Sequence, residues 1–346
     1  MLDRGRCAVI GWQRLLRRLL KRRVGCKIYL FYIMIRYFFF AALAAVTVAT
    51  AKPQKAPQTL PGGWVYAWGD EFNGRKLDES KWKHELGVVR NQGSKQAYTK
   101  DCVKLRRGML VLESRSKETP NATYKEGGKQ WFQKIKTQPF ASGSVTSLGK
   151  QSFTPPCRLE FRAKIPKAKG VWPAIWTLHQ NKYGWPANGE IDILEHVSQE
   201  SSRVYSIFRW GKNGTNEEYK VIKTTDIPDL SKDFHTYALE WTEEYMLIEI
   251  DGQEVGRVAI SDAEYPNGDN PLLTPCYLIL NTALGGWAVE PDAKDYPVEF
   301  LIDYVRCYTK PEHLDYYKEK KTQKADEDAE DEPASKPAKR RRKSRS

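Results

Sequence analysis

Between Trp64 and Tyr308 the hydrophobic positions fall in short runs, several of them alternating with polar residues, with almost no helical recurrence. Gly108-Met109-Leu110-Val111-Leu112-Glu113, Arg158-Leu159-Glu160-Phe161-Arg162-Ala163-Lys164 and Tyr237-Ala238-Leu239-Glu240-Trp241 each read as a strand. Met246–Ile250 and Gln253–Val255 flank Asp251-Gly252, a pair suited to the positive φ angles of a two-residue hairpin turn. Cys276–Asn281 and Phe300–Val305 complete the set. Evenly spaced strands with polar turns over about 245 residues predict one all-β sandwich, without an internal repeat. The stretches at roughly 116–135 and 261–274 are expected to be surface excursions.

One of these runs carries three acids: Gly189-Glu190-Ile191-Asp192-Ile193-Leu194-Glu195-His196. Strand side chains change face at every residue, so Glu190 and Asp192 share a face and Glu195 lies on the other. One extra residue near Ile193 or Leu194, a β-bulge, would return Glu195 to the shared face. The run is therefore either an active strand with a bulge or an edge strand whose acids face water.

The ends differ from the body. Residues 37–51 form an apolar run ending Ala49-Thr50-Ala51, the pattern of a secretory signal peptide with its cleavage site. The residues before it are too many for the basic start of such a signal. Translation is expected to begin at Met34, leaving 1–33 outside the true product. A signal anchor is the competing expectation, since 28–51 nearly suffices to span a bilayer; Arg36 and the cleavage site argue against it. Residues 1–51 are thus assigned as the signal-peptide region, 52–61 as a linker, 62–309 as the main domain and 310–346 as a charged, disordered tail. That tail holds an acid block, Asp326–Glu332, and a basic block, Lys339–Lys343.

The net charge of +13 is concentrated at those ends, with +8 in residues 1–33 and +3 in residues 310–346. The body is nearly neutral, so the charge gives no ground for nucleic-acid binding. Eleven Trp and eighteen Tyr suit stacking on sugar rings as well as core packing. Outside the leader the cysteines are Cys102, Cys157, Cys276 and Cys307. They are compatible with three disulfide connectivities or with free, half-buried thiols, and none has metal-ligand spacing.

Retaining glycoside hydrolysis needs two carboxyl groups about 5–5.5 Å apart. With one bulge, Glu190 and Glu195 are effectively four positions apart, roughly 13 Å between Cα atoms. Long side chains leaning together could close that gap, with the shorter Asp192 between them. Crowded like charges would raise one pKa and keep an acid protonated at working pH. Val171-Trp172-Pro173-Ala174-Ile175-Trp176 and Tyr183-Gly184-Trp185-Pro186 precede the strand, with Trp172 and Trp176 on one face. Asn281-Thr282-Ala283-Leu284-Gly285-Gly286-Trp287 ends a strand in a Gly-Gly turn that would allow close backbone approach to a ligand.

These motifs resemble glycoside hydrolase family 16, over about residues 62–309. Gly69-Asp70-Glu71-Phe72-Asn73-Gly74 and Phe234-His235-Thr236-Tyr237-Ala238-Leu239-Glu240-Trp241 also match the family pattern. The resemblance implies a jelly-roll β-sandwich with a concave substrate cleft and a double-displacement, retaining mechanism. It assigns Glu190 as nucleophile, Asp192 as its helper and Glu195 as acid/base. The bulged strand is typical of the laminarinase-like branch, which implies an endo-β-1,3-glucanase. Trp172, Trp176, Trp185 and Trp287 match cleft-lining positions, and Asn281, Arg209, Trp210 and Gln96 are further candidate substrate contacts. Some members hold a structural calcium on the convex face, for which Asp303 is a candidate ligand; no cofactor is required.

Two departures matter. The stretch Gly93-Ser94-Lys95-Gln96-Ala97 has Ser where the laminarinase-like branch often has Glu, and Val204–Trp210 lacks a His often found there. They admit an alternative, an endo-β-galactosidase acting on β-1,4-galactosyl bonds of mucin- or keratan-type glycans. A non-catalytic lectin-like protein is the rival class; the retention of both glutamates favours the enzyme. His196 and His235 are expected to be structural, whereas His179 is placed near the cleft rim with its role open. The expected product is a secreted, periplasmic or cell-surface monomer. Its partner is a polysaccharide or glycan, with no nucleic acid and no membrane span once the signal is cleaved.

Overall fold

The computed structural model describes residues 55–90, 92–228 and 230–318. The signal-peptide region, the Met34 start and the two charged blocks of the tail lie outside the described residues. Two sheets face one another. The larger has eleven strands and the smaller has seven. The smaller runs, in spatial order, Glu218–Asp226, Arg203–Gly211, Glu190–Glu195, Val171–His179, Cys276–Leu284, Ser144–Thr146 and Lys83–His84, with every pairing antiparallel. This is the all-β sandwich that the alternation of the chain predicts, with the jelly-roll form that the resemblance implies.

Cys157–Lys164 shows how the pattern builds the layers. Cys157, Leu159, Phe161 and Ala163 are fully buried, while Arg158, Glu160, Arg162 and Lys164 face outward. The inward set meets Ile191, Ile193, Phe208 and Leu280 from the smaller sheet in one continuous core. Each fully buried Phe or Leu contributes about 1.5–3 kcal/mol, which pins both sheets in register. The outward set forms a charge ladder, with Arg158 paired to Glu240 at 3.4 Å and also to Glu249. The Asp251-Gly252 hairpin forms as expected, with φ of 50° and 75° at its two turn residues.

The expected excursions differ from the observed ones. The strand Leu110–Pro120 continues into the first, and 261–274 folds onto the body instead of standing off it. Tyr265 and Leu272 are buried in the core, and the Tyr265 hydroxyl donates to Ala187 O at 2.7 Å. All four cysteines are free and buried rather than half-buried. His179 is a core residue, not a rim residue. Its Nδ1 lies 2.9 Å from Thr274 O, its ring packs on Trp241, and burial lowers its pKa to about 4. His235 contacts Asp251 at 2.7 Å, and His196 Nδ1 lies 2.8 Å from Arg203 O, both structural as expected.

Candidate active site

The strand Glu190–Glu195 is bulged. On one side Trp176 pairs with Asp192 while Ile175 pairs with Leu194, so Ile193 is the extra residue. On the other, Asp192 pairs with Ile207 and Glu195 with Tyr205. The bulge turns Ile193 and Leu194 into the core and brings Glu195 back to the face of Glu190 and Asp192. The three acids line one cavity of about 890 Å³, within the size range of small-molecule sites. Its floor takes side chains from five neighbouring strands, from Asn281 on one side to Lys220 and Ile222 on the other. At ordinary strand spacing those five cover about 19 Å.

Each glutamate has its own indole donor. Trp185 Nε1 donates to Glu190 Oε2 at 2.9 Å, and Trp172 Nε1 donates to Glu195 Oε1 at 2.9 Å. Arg209, directly across from Glu190, donates to Glu190 Oε1 through Nη1, with its Nη2 3.7 Å from Asp192 Oδ2. Its Nε sits 2.9 Å from Glu218, which in turn holds Lys220 at 3.0 Å. Ala174 stands opposite Glu195 in the neighbouring strand, and its small side chain leaves the space above that acid open.

Burial raises the pKa of all three acids, and their remaining partners differ. Burial, then the charge of Glu190, raises Glu195 to about 7. Burial raises Asp192 well above the usual carboxylate range, and the charges on Glu195 and Glu190 push the same way. Burial also raises Glu190, opposed by the guanidinium of Arg209 and by the Trp185 N–H. Glu190 alone receives both a direct arginine bond and an indole bond, so it is the member best held as an anion.

Trp172 and Trp287 meet edge to face at 5.5 Å, and Trp287 packs on Tyr205 at 4.8 Å. The Gly285-Gly286 turn that presents Trp287 has φ of 70° and 65°, a pair that only glycine adopts readily. Asn281 and Trp176 line the deep wall and bond to each other, Nε1 to Oδ1 at 2.7 Å. Two candidates lie elsewhere. Trp210 neighbours Arg209 in a regular strand, so it points the other way; it is 3% exposed in the core and packs on Tyr219. Gln96 is buried and its Oε1 accepts the Leu284 N–H at 2.8 Å, bracing the strand that ends in the glycine turn. Asp303, the candidate calcium ligand, is ion-paired with Arg162 at 2.7 Å. Among the described residues no group of three or more His, Cys, Asp or Glu forms a metal cage.

Several cleft residues escaped the sequence: Arg90, Gln92, Trp131, Glu218, Lys220 and Ile222. For Glu218, Lys220 and Ile222 the signal was present, since all three share one face of a strand. Arg90, Gln92 and Trp131 come from loops far away in the chain, and no local spacing marks them.

A family model described as Glycosyl hydrolases family 16 matches residues 110–306. A β-glucanase of Rhodothermus marinus is 31% identical over 281 residues, spanning 74% of this chain and 87% of that protein. A keratan-sulfate endo-1,4-β-galactosidase of Sphingobacterium multivorum is 28% identical over 277 residues, spanning 76% of this chain and 59% of that protein. A solved structure comes from work on endo-acting O-glycanases that prominent human gut microbiota members express to initiate mucin breakdown. It is 47% identical, has a TM-score of 0.73, and is matched over 76% of this chain and 97% of its own. The chain thus belongs to glycosyl hydrolase family 16.

Proposed function

We propose that this glycosidase is a retaining endo-O-glycanase that cleaves internal β-galactosyl bonds in mucin- or keratan-type glycan chains. The observation that carries the substrate class is the 47% identity to the O-glycanase structure, against 31% to the β-glucanase. The two departures from the laminarinase-like pattern, Ser94 in place of a Glu and the absence of a His from Val204–Trp210, support the same choice. Export directed by residues 37–51 belongs to this proposal, because such glycans lie outside cells.

The chemistry follows from the different partners of the two glutamates. Glu190 attacks the anomeric carbon as the glycosidic C–O bond breaks. The departing oxygen keeps the bonding electron pair and takes the proton of Glu195. Ester formation removes the negative charge of Glu190, one of the two causes that raise Glu195, so Glu195 becomes a weaker acid-holder and a ready carboxylate. That carboxylate then takes a proton from water, whose oxygen attacks the anomeric carbon and releases Glu190. Asp192 lies buried between them, where burial and the charges of Glu195 and Glu190 favour its protonated form.

The test is digestion of keratan-type chains, mucin, laminarin, mixed-linkage glucan and agarose-type galactan, with product mass and anomeric configuration followed by NMR. Oligosaccharide products from keratan-type chains, appearing first as the β-anomer, are expected. Preference for laminarin would replace the galactosyl substrate with a β-1,3-glucan, and an initial α-anomer would overturn the two-step mechanism.

A further inference from the structure

Trp176 does not offer the cleft a stacking face. It is 8% exposed, its N–H is spent on Asn281, and the Arg90 guanidinium lies over its ring at 4.9 Å. Arg90 is itself fixed by paired bonds to Glu85. Among the residues lining the cavity, the sheet therefore offers no open aromatic ring on the Asn281 side. One arrives from outside it. Trp131, on a single 3-10 turn at Trp131–Lys134, lines the same cavity as Arg90 and Gln92 and is only partly buried.

We infer that Trp131 is a distal sugar-binding platform, and that the excursion carrying it is a wall recognising glycan beyond the units over the catalytic acids. This rests on the glycanase function proposed above. An aromatic face matches the apolar C–H face of a pyranose ring, and a large, stiff side chain loses little freedom on binding.

The excursion is fastened to the cleft. Asn121, at its start, is 5% exposed and donates to Phe132 O and Ile135 O, each at 2.8 Å. Its Oδ1 accepts the Val88 N–H at 2.7 Å, and Thr123 Oγ1 donates to Val88 O at 2.8 Å. Gly87 makes this join possible: its φ is 78°, and a Cβ there would stand 2.6 Å from Asn121 Oδ1. One asparagine thus ties the Trp131 turn, at Phe132 and at Ile135 just after it, to the segment that continues into Arg90 and Gln92. The platform is held in place before substrate arrives, so little ordering cost attends its use.

The test compares Trp131→Ala and Trp131→Phe with wild type on size-graded keratan-type oligosaccharides and, in parallel, on laminari-oligosaccharides. With Trp131→Ala, kcat/KM on the longest chains should fall about tenfold, and the shortest cleavable chain should be unaffected. Trp131→Phe should recover most of the loss, since it keeps an aromatic face. An equal loss at every length, or none at any, would overturn the platform. The wild-type preference between the two series tests the proposed substrate separately. If only laminari-oligosaccharides are cut, the galactosyl assignment fails and the length comparison on that series still decides the role of Trp131.

Discussion

Trp172 Nε1 donates to Glu195 Oε1 at 2.9 Å, and this bond opposes the two forces that raise the pKa of Glu195. Burial and the charge of Glu190 lift it to about 7, while the indole favours the carboxylate. Wild-type kcat/KM should therefore decline on the alkaline side near neutrality, as the proton for the leaving group is lost. Trp172→Phe removes the donor and keeps the ring. The alkaline limb should then move upward by about half to one unit, with a lower plateau because Glu195 is less well oriented. A pH–rate profile of both proteins checks the direction. A downward move would contradict the assignment of Glu195 as the proton donor.

The same elevation makes Glu195 a liability for folding. Its pKa is about 7 in the folded state against 4.5 for a free glutamate, so the folded chain binds more protons than the unfolded chain between those values. Its contribution is complete below pH 4.5 and is lost as pH rises through 7. Glu195→Gln mimics the protonated acid and should remove this loss. The variant should be inactive, equal to wild type in stability at pH 4, and more stable by about 3 kcal/mol at pH 8. Chemical denaturation at the two pH values measures the difference.

Arg209 serves three carboxylates, those of Glu190, Asp192 and Glu218. Arg209→Met keeps much of the side chain volume and removes the charge that favours ionised Glu190. Glu190 should then stay protonated to higher pH, so the acidic limb of the profile moves up and kcat/KM drops about 100-fold. A variant with an unmoved acidic limb would show that Glu190 draws its anionic form from elsewhere.

The site was legible where local periodicity governs it. Glu195 is five positions from Glu190, an odd number, and that parity demanded the bulge found at Ile193. The same parity, applied to Arg209 and Trp210, separates them: one reaches the acids and the other the core. The resemblance had placed both at the substrate, and strand geometry overrules it for Trp210. Gln96 was visible as a residue but not its task, because its partner Leu284 is paired to it only by the fold. Trp131 was hidden for the same reason. It reaches the cleft through bonds between Asn121 and Val88, a closure that chain composition does not encode.

Trp185 and Trp210 provide the contrast that separates site from scaffold. Trp185 is 54% exposed and gives its N–H to Glu190 at 2.9 Å, whereas Trp210 is 3% exposed within the core. Trp185→Phe should leave the thermal midpoint nearly unchanged, because little buried surface is lost. It should lower kcat/KM about tenfold, as one charge-assisted bond to the nucleophile disappears. Trp210→Ala should do the reverse, costing about 3–5 kcal/mol of stability through the cavity it leaves. Its kcat/KM, taken well below its melting point, should stay close to wild type. Trp210→Phe, a smaller change of volume, keeps the comparison open if the alanine variant does not fold. Thermal melts and kinetics on the four proteins suffice. A stable Trp210 variant with a raised KM would return that residue to the cleft.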